Sequence, residues 1–160
     1  IDGYGNKFKK STPEESSKDV MAVYNELKRN PNIDLDRVFL MTWSGGSAVV
    51  NRMVESYPKL WKGVIVFSGS PSLPESPSDN LKYLLFVGKR DTPFIKPNKE
   101  FQIKATKKNL PAKLLLAPRT GHEITNTDFD KKLGAEIAEF IFEKPYSKLI
   151  PDFGVEIIGH

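Results

Sequence analysis

Three reactive side chains, Ser44, Asp91 and His122, each follow a different short apolar run of the sequence. Trp43-Ser44-Gly45-Gly46 comes after residues 38–42, Gly88-Lys89-Arg90-Asp91 after 83–87, and Pro118-Arg119-Thr120-Gly121-His122 after 113–117. A hydroxyl, a carboxylate and an imidazole are the groups from which nucleophilic catalysis at a carbonyl is built. Serine is a weak nucleophile until a base takes its proton, and an acid orients that base. Ser44 and Asp91 also have structural readings. Ser44 beside two glycines suits a helix N-terminus. Asp91 can pair with Lys89 or Arg90, or cap a turn ahead of Pro93. Asp128 and Asp130 are rival acids, but they precede a helical pattern and suit capping better. His160, the other histidine, ends a stretch without periodicity and is a poor candidate for a rigidly held base.

The elements that must position these residues are legible as period and composition. Val38-Phe39-Leu40-Met41-Thr42, Gly63-Val64-Ile65-Val66-Phe67-Ser68, Tyr83-Leu84-Leu85-Phe86-Val87 and Lys113-Leu114-Leu115-Leu116-Ala117 are almost wholly apolar. They are too short for helices and too continuous for a sheet with one wet face, and so predict buried strands. Thr12-Pro13-Glu14-Glu15 predicts a helix start, with Thr12 as N-cap and Glu15 closing a capping box. Val20, Val23, Tyr24 and Leu27 form its apolar stripe, and Asn30-Pro31 ends it. Val49, Val50, Met53, Val54 and Tyr57 predict a second helix. A third is expected over about residues 98–110, with Phe101 and Ala105 inward. A fourth starts at a Thr127-x-x-Asp130 cap and carries Phe129, Leu133, Ile137, Phe140 and Ile141 on one face. The link over 70–82 holds Pro71, Pro74 and Pro77 and no helical stripe. Helices alternating with buried strands predict an α/β fold, a mostly parallel sheet with helices on both faces. In such sheets ligands bind beyond the carboxyl ends of the strands. That is where Ser44, Asp91 and His122 fall.

With Ser, then Asp, then His after successive strands, the chain resembles the α/β-hydrolase superfamily over roughly residues 12–142. The resemblance extends to its serine esterases, its dienelactone-hydrolase-like members and its prolyl-oligopeptidase-like peptidases. The family's nucleophile elbow reads G-x-S-x-G. Here it is Thr42-Trp43-Ser44-Gly45-Gly46, with Gly46 as the second glycine and Thr42, also small, in place of the first. Val87-Gly88-Lys89-Arg90-Asp91-Thr92-Pro93 is similar to the family's acid loop, and Gly121-His122-Glu123 to its histidine loop. The resemblance implies Ser44 as nucleophile, His122 as general base, Asp91 as the acid that holds the imidazole, and the Gly45 N–H as an oxyanion donor. It implies cleavage of a small-molecule carboxylic ester through an acyl-enzyme, with no cofactor and no metal. The Trp-Ser-Gly-Gly elbow also looks like that of prolyl-oligopeptidase-type peptidases, so amide hydrolysis is the alternative.

Members of the family take a second oxyanion donor from a loop after an earlier strand, upstream of the helix before the elbow, and residues 1–11 are too few for a strand, a helix and another strand. The resemblance therefore implies that the N-terminal strands and that donor are absent, and that the complete domain is about 80 to 120 residues longer. Asp2-Gly3-Tyr4-Gly5 is expected near the mouth of the site. Strand 38–42, normally interior, becomes an exposed edge. The competing expectation is a non-catalytic, truncated hydrolase-like domain that self-associates or needs an upstream segment to complete its sheet.

Composition bounds the remaining possibilities. The 160 residues, 39% apolar and 28% charged, fit one globular domain, with residues 1–144 as the hydrolase-like unit and 145–160 as an irregular tail. The net charge of +4 is spread along the chain, unlike the concentrated stripe of a nucleic-acid binder. No apolar run approaches the ~20 residues of a membrane span. Ile1 begins neither a basic segment nor an apolar one, so no retained signal peptide is expected. The absence of cysteine excludes disulfides, thiolate metal sites and a cysteine nucleophile, and leaves the compartment open. Two histidines without H-x-x-x-H spacing make no zinc site, and no glycine-rich nucleotide fingerprint occurs.

Overall fold

Four parallel strands, β1 (Phe39–Trp43), β2 (Gly63–Phe67), β3 (Lys82–Gly88) and β4 (Ala112–Ala117), lie side by side in chain order. They come from a computed structural model that describes residues 11–123 and 127–145, the side chains of 127–131 excepted. The register pairs Trp43 with Phe67, Phe67 with Phe86, and Gly88 with Ala117. The carboxyl ends of the strands are therefore level, and the loops that follow them emerge along one rim. Helices α1 (Pro13–Leu27), α2 (Ser47–Ser56) and α3 (Thr92–Lys107) cover one face of this sheet, and α4 (Thr127–Phe142) covers the other. The fold class is α/β, with an all-parallel sheet between helices.

Burial explains why β2 and β3 read as continuous apolar runs. Both faces of these inner strands are packed: Val64, Val66, Tyr83 and Leu85 meet Tyr24, Val50, Met53, Phe101 and Ala105 on one side. Ile65, Leu84 and Phe86 meet Leu133, Ile137, Phe140 and Ile141 on the other. Each such side chain contributes about 1.5–3 kcal/mol by leaving water. Trp61, 2% exposed, also satisfies its indole N–H on the Met53 carbonyl at 3.1 Å. On β3, burial pushes the Tyr83 hydroxyl above the usual phenol range, and the Glu55 charge adds to the shift.

The edge strands differ from the expectation of full burial. On β1, Leu40 and Thr42 point into the core, whereas Met41 is 56% and Trp43 54% exposed. β1 has no neighbour on its outer side among the described residues, and α4 reaches only its start, where Phe39 meets Phe140 at 5.8 Å. The C-terminal end of α4 is held by Lys82, whose ammonium donates to the Phe140 carbonyl at 2.5 Å and to Glu143 at 2.8 Å. That bond and the Lys82 charge hold the Glu143 carboxyl below the usual range.

Two helices correct the sequence-based expectation. In α1 the capping box forms as expected: the Glu15 N–H donates to Thr12 Oγ1 at 3.2 Å, and the Thr12 N–H donates to the Glu15 carboxylate at 2.8 Å. Val23, however, is 61% exposed. The packed arc is centred on Ser17, Val20, Met21 and Tyr24, which leaves Val23 one step beyond its margin at 100° per residue. Helix α3 begins at Thr92, not near Asn98. Pro93 sits in its first turn, where a missing N–H breaks no bond. Pro97 interrupts a single internal bond, and the side chain of Asn98 donates to the Phe94 carbonyl beside it at 2.8 Å.

No helix occurs between β2 and β3. Among the described residues no helix is long and apolar enough to cross a membrane. The Thr127-x-x-Asp130 cap, the Phe129 side chain, the Asp2–Gly5 segment (residues 2–5) and the tail beyond residue 145 fall outside what the structure describes.

Candidate active site

At the end of β1 the chain turns from strand to helix in a single 3-10 turn, Ser44–Gly46. Ser44 takes φ 53°, a left-handed conformation that few non-glycine residues adopt and that costs on the order of 1–3 kcal/mol. The turn brings the two ends of the elbow together: a β-carbon on Gly46 would collide with Oγ1 of Thr42. This contact accounts for small residues at both positions. Gly46→Ala is expected to destabilise the protein by about 1–3 kcal/mol, and Thr42→Ala in the same chain to recover most of the loss. Urea unfolding of the two single variants and the double variant would show coupling of about 1 kcal/mol or more; strict additivity would contradict the contact. The elbow is braced from behind by Ser47, whose hydroxyl donates to the Ser44 carbonyl at 2.5 Å and accepts from the Ser70 N–H at 3.1 Å.

Asp91 follows β3 in a tight turn, its N–H donating to the Gly88 carbonyl at 2.9 Å. It occupies the N-cap position of α3, yet its carboxylate makes no capping bond, and neither Lys89 nor Arg90 pairs with it. Its side chain, 6% exposed, reaches His122 instead, with Oδ2 3.0 Å from Nδ1. A carboxylate only accepts, so Nδ1 donates to it; in the neutral ring that tautomer leaves Nε2 with a lone pair. Nε2 lies 2.7 Å from Oγ of Ser44. Side chains 78 residues apart in sequence thus form one hydrogen-bonded chain, hydroxyl to imidazole to carboxylate.

The loop carrying His122 leaves β4 through Arg119, also left-handed at φ 61°, and is sewn to the acid loop. The Lys89 N–H donates to the Ala117 carbonyl and the Arg90 N–H to the Thr120 carbonyl, each at 2.9 Å. Gly88 permits this approach, since a β-carbon there would meet the backbone of Thr120 and Gly121. An open hollow of about 420 Å³ lies beside the imidazole, lined by Arg119, Thr120, Gly121, His122 and Glu123. Gly45, exposed at the head of α2, has open space where its side chain would be. Among the described residues no group of three or more His, Asp or Glu side chains converges as a metal site would require.

The site also contains residues that periodicity did not single out. The Trp43 indole N–H donates to the main-chain carbonyl of His122 at 3.1 Å, and its ring lies 5.3 Å from the imidazole. Phe94 on α3 places a second ring 5.2 Å from it. Asn98, fully buried, donates to the Gly69 carbonyl at 2.8 Å and so ties α3 to the loop behind the elbow. A polar residue on the inward face of α3 was the available signal for Asn98. Reading α3 as starting at residue 98 hides it, since a helix start accommodates a polar residue.

No protein-family model matches the chain, and no curated protein is similar to it in sequence. Solved structures are similar in fold. The dipeptidyl peptidase 4 of Porphyromonas gingivalis superposes with TM-score 0.66 at 16% identity, over 84% of this chain and 23% of its own. The carboxylesterase of Bacillus cereus gives 0.55 at 16% identity, over 75% of this chain and 56% of its own. SOBER1 of Arabidopsis thaliana gives 0.60 at 21% identity, over 87% of this chain and 67% of its own. This chain spans less than two thirds of the first two proteins. Its parallel sheet and flanking helices are those of an α/β-hydrolase fold, and they correspond to a part of each larger structure.

Proposed function

We propose that the protein is a serine hydrolase that cleaves a carboxylic ester through an acyl-enzyme on Ser44. One observation carries the reading: Ser44, His122 and Asp91 make a continuous hydrogen-bonded chain of 2.7 and 3.0 Å at the carboxyl ends of β1, β4 and β3. His122 Nε2 takes the Ser44 proton as Oγ attacks the ester carbonyl. Asp91 holds the Nδ1 proton and stabilises the imidazolium. The Gly45 N–H, at the head of α2, donates to the oxyanion, a contact commonly worth about 10²–10³ in rate. As the intermediate collapses, the carbon–oxygen bond to the alcohol breaks and His122 returns the proton to the leaving alkoxide. Water then attacks the acyl group by the same route. His122 takes its proton, and Ser44 regains one as the acid departs. The hydrolase-like unit is residues 1–144, with 145–160 outside it. The esterase among the similar structures supports this assignment of substrate class.

Amide hydrolysis is the second reading. It is favoured by the Trp43-Ser44-Gly45-Gly46 elbow and by the dipeptidyl peptidase, which superposes with the higher TM-score of 0.66. The two readings separate on a matched pair of substrates. With the same acyl group on p-nitrophenol and on p-nitroaniline, an esterase is expected to favour the ester by more than the intrinsic reactivity difference measured in buffer. An anilide turned over at a comparable kcat would favour the peptidase. If neither substrate turned over and a fluorophosphonate failed to label Ser44, the domain would be non-catalytic.

A further inference from the structure

Trp43 ends β1, and its side chain makes contacts that the reaction as written leaves without a role. β1 and β4 are opposite edges of the described sheet. With strands about 4.8 Å apart, the loop after β4 must travel about 14 Å to bring His122 over Ser44. The acid loop holds its first part, through the Ala117 and Thr120 carbonyls. His122 itself then touches Asp91, Ser44, Phe94 and Trp43. The bonds to Asp91 and Ser44 run through ring nitrogens, and the one to Ser44 is made and broken in each half-reaction. The Trp43 bond runs to the main-chain carbonyl. It therefore persists whichever ring nitrogen is protonated.

Resting on the reading of Ser44, His122 and Asp91 as a triad, we propose that Trp43 is a positioning residue that ties the loop bearing the base to the strand bearing the nucleophile. Consecutive residues of the chain then set both ends of the critical distance: Ser44 places Oγ, and Trp43 places the backbone from which the imidazole reaches it. The ring is 54% exposed, so it does little to fill the core. Its exposure and its bond together fit a strut better than a packing element.

Trp43→Phe tests this, because it keeps an aromatic ring and removes the N–H. In the full-length protein, kcat on p-nitrophenyl acetate and the rate of phosphonylation by a small fluorophosphonate are each expected to fall about ten- to hundredfold, the penalty of roughly a 1 Å misplacement. KM should stay within about twofold, and the urea midpoint should fall by no more than the loss of that one hydrogen bond. Amide exchange at Arg90, whose N–H is bonded to the Thr120 carbonyl of this loop, should quicken about fivefold, as for loss of one hydrogen bond. A raised KM with unchanged kcat would make Trp43 a wall of the substrate site and overturn the proposal. So would a kcat that falls only in step with the unfolding midpoint, or no change at all. If the unsubstituted protein neither turns over nor labels, the triad reading fails. Amide exchange then still decides the tie, and unchanged exchange in Trp43→Phe would overturn it on its own.

Discussion

Ser44→Ala is expected to lower kcat for ester hydrolysis by about 10⁶-fold, the loss typical when the nucleophile of such a triad is removed. Alanine keeps the shape of the elbow and removes only Oγ, the atom 2.7 Å from His122 Nε2. No acyl-enzyme can then form, and the oxyanion donor and bound substrate supply whatever rate remains. Labelling by a fluorophosphonate should vanish with turnover. Ser44→Gly separates chemistry from fold: it should be equally inactive yet more stable by about 1 kcal/mol, because glycine adopts a positive φ without strain. The φ of 53° at Ser44 is what makes these two substitutions diverge. Turnover by Ser44→Ala within tenfold of the unsubstituted protein would dispose of Ser44 as nucleophile.

For Asp91→Asn the expected loss in kcat is about 10⁴-fold, with little change in KM. The substitution is nearly isosteric, and the side chain caps no backbone N–H of α3, so the fold has little reason to move. What changes is the tautomer. An amide that offers its N–H to Nδ1 leaves the ring proton on Nε2, where it faces Ser44 and cannot accept a second one. Asp128→Asn and Asp130→Asn serve as controls and should remain near the unsubstituted rate. If Asp91→Asn retained a tenth of the activity or more while either control lost it, the acid would have been wrongly assigned.

Much of the architecture is legible because it depends on neighbours in sequence. The capping box at Thr12 and Glu15 is a contact over three residues. The apolar runs of β2 and β3 reflect burial on both faces, which composition reports directly. Where the pattern misled, a distant element had intervened. Val38-Phe39-Leu40-Met41-Thr42 reads like a strand buried on both faces, but α4 reaches only the start of β1, at Phe39, so Met41 and Trp43 are exposed. Val23 belongs to the apolar stripe of α1 by period, but the arc that packs is centred on Ser17, Val20, Met21 and Tyr24, and Val23 lies beyond its margin. Helix α3 is expected over about residues 98–110, yet it starts at Thr92, with Pro93 in its first turn and Pro97 within it.

The sequence by itself determined the order of elements and the appearance of a serine, an aspartate and a histidine just beyond three strands. Periodicity and composition are local, and the rule that parallel strands present ligands at their carboxyl ends requires no coordinates. Only the tertiary structure shows which of these side chains meet. Asp91 was free, on sequence, to cap a turn or pair with a neighbouring cation, and the loop after β4 brings it an imidazole instead. Trp43 stands in the elbow motif, but its bond to the His122 carbonyl, 79 positions away, is visible only in the fold. Distances of 2.7 to 3.1 Å between such residues are set by strand order, register and the turns at Ser44 and Arg119, which no stretch of sequence encodes alone.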